Sequence, residues 1–243
     1  MKTLGVDLAS QAARTATCVL EWGDGRARIV DLAVNADDTA IVAMKDGVDA
    51  IGIDAPFGWP ASFIAMLSGQ DRLPDWTTTH RDTLRFRATD KYIRDETGRW
   101  PLSVSSDLIG VVAMRCRGLL QQLGVGGHVL HPSIYEVYPA AALRRWSINP
   151  PSYKGAKRRD TLARLVETTR SAIPWLDMSD AALQLLKRSD DAFDALISSM
   201  MARAARLGLC DAPPDEPHIA QEGWIFLPKE RSLQMLCSNK TRA

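Results

Sequence analysis

Five carboxylates in this sequence stand where an acid is costly unless it has a partner. Asp7 ends an apolar stretch, Asp54 ends a second, Glu136 lies in a third, and Asp191 and Asp194 sit three apart in a late helical run. An ionised carboxylate among apolar neighbours is unfavourable alone, whereas several converging from separate elements are what two divalent ions require. Two ions about 4 Å apart let one activate water while the other stabilises the leaving oxygen of an in-line phosphoryl displacement. Four of these acids also have a structural alternative. Asp7 could cap the next element or pair with Arg14, Glu136 could sit in a buried salt bridge, and Asp191 and Asp194 could favour the positive end of their helix.

The elements that must position these acids follow from periodicity and turn chemistry. Residues 3–9, 14–22 and 25–34 read as three antiparallel strands, the last two joined through Gly23-Asp24-Gly25. Residues 37–46 suit a short helix closed by Gly47, and 50–54 (AIGID) is a central strand, too short and too apolar for anything else. From Phe57 to about residue 104 the pattern loosens around Trp59-Pro60, Gly69, Pro74 and Pro101, with basic residues (Arg81, Arg85, Arg87, Lys91, Arg94, Arg99) interleaved with aromatics and acids. This reads as an insertion that either tracks phosphates or presents a solvated, locally paired face. Ser105-Ser106-Asp107 can cap a helix over 108–123, and 133–138 (SIYEVY) is a strand with Ile134 and Glu136 on one face. The basic patch 153–159 (YKGAKRR) reads as a solvated helix start leading to about residue 170. A final helix spans 189–208, with Asp191 and Asp194 on one face and Asp190 rotated away, and 222–228 (EGWIFLP) is a last short strand.

Composition limits the alternatives. A chain of 243 residues, 46% hydrophobic, can bury one sizeable core, so residues 1–243 are read as one domain with the insertion inside it. A formal net charge of +1 gives no global field toward nucleic acid or membrane, so any anion site must be local. Four isolated cysteines suggest neither a zinc ribbon nor a disulfide framework and fit a reducing cytoplasm. No apolar run reaches the roughly 20 residues of a membrane span, and the start does not look like a secretory signal. His128-x-x-His131 lacks further ligands at zinc spacing, and there is no GxSxG nucleophile elbow.

The element order, three strands, helix, strand, insertion, helix, strand, helix, is that of a ribonuclease-H-like α/β fold: a mixed five-stranded sheet flanked by helices, with a helical insertion after the fourth strand. The segments GVDLA (5–9), GIDAPFGWP (52–60), RATDKYIRDETGRWPLSVSSDLIG (87–110), YEVYPAAALR (135–144), DDAFDAL (190–196) and EGWIFLP (222–228) resemble, in that order, the family catalogued as domain of unknown function 429, predicted to be ribonuclease-H-like nucleases. The resemblance implies an acidic cluster of Asp7, Asp54, Glu136 and Asp194 as the catalytic group. Asp191 joins them as a metal ligand, with Asp190 as an alternative, and Mg²⁺ or Mn²⁺ is the cofactor. On this reading the substrate is nucleic acid or a nucleotide. Arg87 and Arg94 grip its phosphate, Asp90 holds one of them in place, and Ser103 and Ser105 add hydroxyl donors. Glu222 has no assigned role. Two other classes stay open: an actin-like or kinase-type ATP-binding phosphotransferase using the turn at Gly5–Ser10, and a non-catalytic nucleotide- or nucleic-acid-binding domain.

Overall fold

The computed structural model describes residues 1–70, 76–149 and 151–237; the expected breaker Pro74 lies outside them. The chain runs β1 (Lys2–Asp7), β2 (Ala16–Trp22), β3 (Ala27–Val34), α1 (Asp38–Met44), β4 (Ala50–Asp54), α2 (Ala61–Leu67), α3 (Thr78–Arg85), α4 (Ala88–Thr97), α5 (Gly110–Gln122), β5 (Ile134–Glu136), α6 (Pro139–Arg145), α7 (Arg159–Ala172), β6 (Leu176–Asp177), α8 (Asp180–Arg188), α9 (Asp190–Arg206) and α10 (Ile219–Glu222). The six strands form one mixed sheet in the order β5-β4-β1-β2-β3-β6, with β1–β2 and β2–β3 antiparallel and the other pairs parallel. This is the helix-flanked mixed sheet expected of a ribonuclease-H-like chain, with one strand more than anticipated: the two-residue β6 pairs only Ala27 and Arg28 of β3.

Side-chain alternation divides the core into two layers. Leu4, Val6, Ile51, Ile53 and Ile134 face one way and pack with Ile41 of α1 and Cys116, Leu119 and Leu120 of α5. Ala50, Tyr135 and Val137 face the other way, toward α6, α7, α8 and above all α9. Helix α9 is buried along most of its length; Ser189 caps it by accepting from the Ala192 amide, and Asp190 and Asp191 fill its first turn. It lies directly on two glycines that are register partners, Gly5 of β1 and Gly52 of β4. A Cβ at Gly5 would lie 2.0 Å from the Ala195 carbonyl oxygen, and one at Gly52 would lie 2.4 Å from that of Ser198. Only residues without a side chain let a helix backbone approach a sheet this closely.

Several elements depart from expectation. The helix expected over 108–123 begins at Gly110, because Asp107 and Ser103 bond within their own turn: the Asp107 carboxylate accepts from the Ser103 amide at 2.7 Å. The strand expected over 133–138 shortens to Ile134–Glu136, ended by Pro139 at the start of α6. The segment 222–228 is not a ladder strand; it contributes isolated bridges, Glu136–Ile225 and Cys210–Pro228, after the single turn of α10. Helices α6 and α8 were not anticipated. The insertion holds α2, α3 and α4, and the four cysteines are buried free thiols. Among the described residues no helix is long and apolar enough to cross a membrane.

Candidate metal centre

Asp7 and Asp54 end the parallel neighbours β1 and β4 and are register partners. Each follows its strand's glycine by two residues, so alternation directs both toward the face that α9 covers. Asp194, one turn inside α9 and 1% exposed, comes down onto the same point. The three carboxylates each present an oxygen within 4.8 Å of the other two. Burial raises the Asp7 carboxyl well above its usual range, and Asp194 and Asp54 add to the rise while Lys154 opposes it. Asp54 is raised in the same way to about 7, by burial first, against the pull of Lys154. Three acids so placed repel one another and call for a cation.

Asp194 shows how far protein groups meet that need. Its Oδ1 accepts a hydrogen bond from the buried Tyr153 hydroxyl at 2.6 Å. Its Oδ2 is buried and forms an ion pair with Lys154 Nζ, 2.6 Å away. Desolvation works against the Lys154 charge, and attraction to Asp194, Asp7 and Asp54 more than offsets it, leaving the ammonium above its ordinary value. An oxygen-only donor set of converging carboxylates fits a hard divalent ion such as Mg²⁺ or Mn²⁺. Asp7, Asp54 and Asp194 are the residues that would hold it.

Glu136 lines the same cleft but is not part of the three-acid group. It is the register partner of Ile53, not of Asp54, and shares Ile134's face, so it projects to the opposite side of the sheet from Asp7 and Asp54. There its carboxylate meets Arg87, with Nη2 2.7 Å from Oε1 and Nη1 donating to Oε2 at 3.0 Å, and accepts from the Phe57 amide. Burial pushes the Glu136 carboxyl up, and Arg87 pulls it back. Arg87 itself is 2% exposed. Its remaining donors go to both oxygens of Asp90 and to the Glu222 carbonyl, which leaves no free fork for a substrate phosphate. Asp90 thus holds Arg87, as expected, but for a structural purpose. Arg94 lies exposed beside Asp95 and over the Trp100 ring, away from Arg87.

The remaining expected residues also find other partners. Asp191 makes a two-pronged pair with Arg14, at 3.1 and 3.2 Å, and so takes the arginine that Asp7 could have used. Asp190 accepts from the Gly155 amide at 2.9 Å. Ser103 donates to the Arg85 carbonyl, and the Ser105 hydroxyl is buried without a partner; neither is among the residues lining the cleft. Glu222 gains a role: its two oxygens accept from the Ala61 amide at 2.7 Å and the Ala88 amide at 2.9 Å, capping α2 and α4 at once. Tyr153 and Lys154, read from sequence as part of a solvated helix start, are the residues in contact with Asp194 that patterning missed. Their only sequence signal is an aromatic and a lysine before Gly155, whose φ of 95° turns the loop.

Asp7 and Asp54 line the floor of a cleft of about 890 Å³, together with Glu136, Asp190 and Asp191, while Asp194 is buried. Lys154 and Arg14 flank it, Arg99 and Tyr138 reach in, and Leu102, Leu108, Ile109 and Val112 make an apolar wall. Leu108 is 97% and Leu102 58% exposed at its rim. A separate cavity of about 410 Å³ near Phe57, Trp59 and Arg117 holds none of the five candidate acids.

The family model described as "Protein of unknown function (DUF429)" matches residues 5–219 of this chain. No curated protein and no solved structure matches.

Proposed function

We propose that this chain, which belongs to the DUF429 family of proteins of unknown function, is a divalent-metal-dependent phosphodiester hydrolase acting on nucleic acid or a nucleotide. The observation that carries this reading is the convergence of Asp7, Asp54 and Asp194, from three separate elements, on one point, with Asp7 and Asp54 lining an open cleft. A divalent ion held there would supply a Lewis acid and a water of lowered pKa for attack on phosphorus. The chain's own residues fix the geometry. The two strand ends hold Asp7 and Asp54 at adjacent ladder positions, Tyr153 orients Asp194, and the apolar wall offers a surface for a base or sugar while the phosphate lies on the floor.

The test is a cleavage assay with Mg²⁺ or Mn²⁺ on single-stranded, duplex, hybrid and branched nucleic acids and on small nucleotides, with Asp7→Asn in parallel. Metal-dependent cutting that the variant loses supports the reading and identifies the substrate class. If neither protein cuts any of them, the reading fails, and ATP hydrolysis and simple ligand binding become the questions to ask.

A further inference from the structure

We infer that the centre takes one divalent ion, not two, and that the Lys154 ammonium stands where a second ion would otherwise act. The inference rests on the hydrolase reading for its chemistry but on separate observations for its geometry. The acids a second ion would need are already engaged: Glu136, which lines the same cleft, with Arg87, Asp191 with Arg14, and Asp190 with the Gly155 amide. What remains at the cluster is three carboxylates and one ammonium, a net of two negative charges that a single divalent ion neutralises.

The Lys154 side chain is 58% exposed, but the loop that carries it is anchored on both sides. The residue before it, Tyr153, is buried and donates to Asp194 Oδ1. The residue after it, Gly155, donates its amide to Asp190. Both anchors belong to the first turns of α9, so the loop is fastened on either side of Lys154 to the helix that supplies Asp194. Its ammonium pairs with the buried Asp194 Oδ2 at 2.6 Å. In the hydrolysis, the water oxygen bonds to phosphorus and the ester P–O bond breaks. Its electron pair stays with the leaving oxygen, which ends with one of the water's protons. Lys154 neither makes nor breaks a bond in this scheme; it supplies fixed positive charge beside the phosphoryl group.

The experiment counts bound Mn²⁺ on the full chain by the electron paramagnetic resonance of the free ion, for wild type, Lys154→Met and Lys154→Arg, with cleavage of the best substrate measured alongside. One Mn²⁺ per wild-type chain is expected. Lys154→Met should bind Mn²⁺ at least about ten-fold more tightly, because a neighbouring like charge has gone, yet turn over at least about ten-fold more slowly. Lys154→Arg should keep wild-type affinity within about three-fold. Tighter metal with slower turnover is a pairing that a lysine serving only to brace the loop would not give. Two Mn²⁺ per wild-type chain, none at all, or unchanged affinity in Lys154→Met overturns the inference. If the metal behaves as expected and no phosphodiester is cut, the hydrolase reading fails while the single-ion assignment stands.

Discussion

Gly5 and Gly52 face each other across the β1–β4 ladder, two residues before Asp7 and Asp54, and the backbone of α9 rests on both. The close approach that brings Asp194 down to the strand ends thus depends on two hydrogen atoms where any other residue would place a carbon.

Gly5→Ala should therefore lift α9 from the sheet. Its Cβ would sit 2.0 Å from the Ala195 carbonyl and 2.2 Å from the Ser199 amide nitrogen, both backbone atoms that no rotamer can move. Overpacking of this kind costs about 1–3 kcal/mol or more. A fall of that size in the urea-derived stability, with weaker Mn²⁺ binding because Asp194 moves away, is the expected outcome. Unchanged stability would show that the seat is not tight.

Mg²⁺ should raise the melting temperature of the wild type, and Asp7→Asn should abolish the rise. An ion at about 100 times its Kd adds about 2.7 kcal/mol to the folded state. A thermal melt with and without the metal reads this directly.

Without metal, stability should fall as pH rises. Burial raises the Asp7 and Asp54 carboxyls in the folded state, Asp54 to about 7, while an unfolded aspartate titrates near 4. Between about pH 4 and pH 7 the folded chain then holds more protons than the unfolded one, so raising the pH through that window removes stability. Urea midpoints for chelator-treated protein at pH 5 and pH 8 check the sign, and Asp54→Asn should lose much of the difference.

Arg87→Met should strongly destabilise the fold, because it strands Asp90 and Glu136 as buried charges without their partner. Breaking such a pair costs about 3–5 kcal/mol. Arg87→Lys should recover only a minor part, since an ammonium cannot replace the two-sided fork. Were Arg87 a phosphate grip instead, the variants would keep their stability and lose substrate affinity.

Glu222→Ala should cost about 1 kcal/mol for each of the two helix ends it caps. Amide hydrogen exchange should show the loss at the starts of both α2 and α4 together.

The sequence made the strand-end acids and the helix behind Ser189 visible, because an acid ending an apolar run and a serine before a first turn of aspartates are local signals. It could not say which face Glu136 would take. Alternation within β5 puts Ile134 and Glu136 together, but the face each strand turns toward α9 depends on register between strands, and one residue of offset reverses it. Arg87 looked available for the same reason: its partners Glu136 and the Glu222 carbonyl are 49 and 135 residues away in the chain. Lys154 was hidden differently, as a charge in a basic run whose loop is fixed only by contacts with Asp190 and Asp194. Helix α6, seven residues starting at a proline, and the two-residue β6 are too short to carry a periodic signal.

The span of the acid cluster also sets the order in which the molecule can assemble during synthesis. Asp7 and Asp54 leave the ribosome early, on strands whose glycines offer a flat seat with nothing on it. The helix that fills the seat arrives only with residues 190–206, and the carboxylate that caps α2 and α4 only with residue 222. A nascent chain of some 180 residues therefore carries most of the sheet but no assembled centre, with one face of that sheet still lacking its principal cover. The interval before α9 emerges is when this protein has the most to gain from a chaperone.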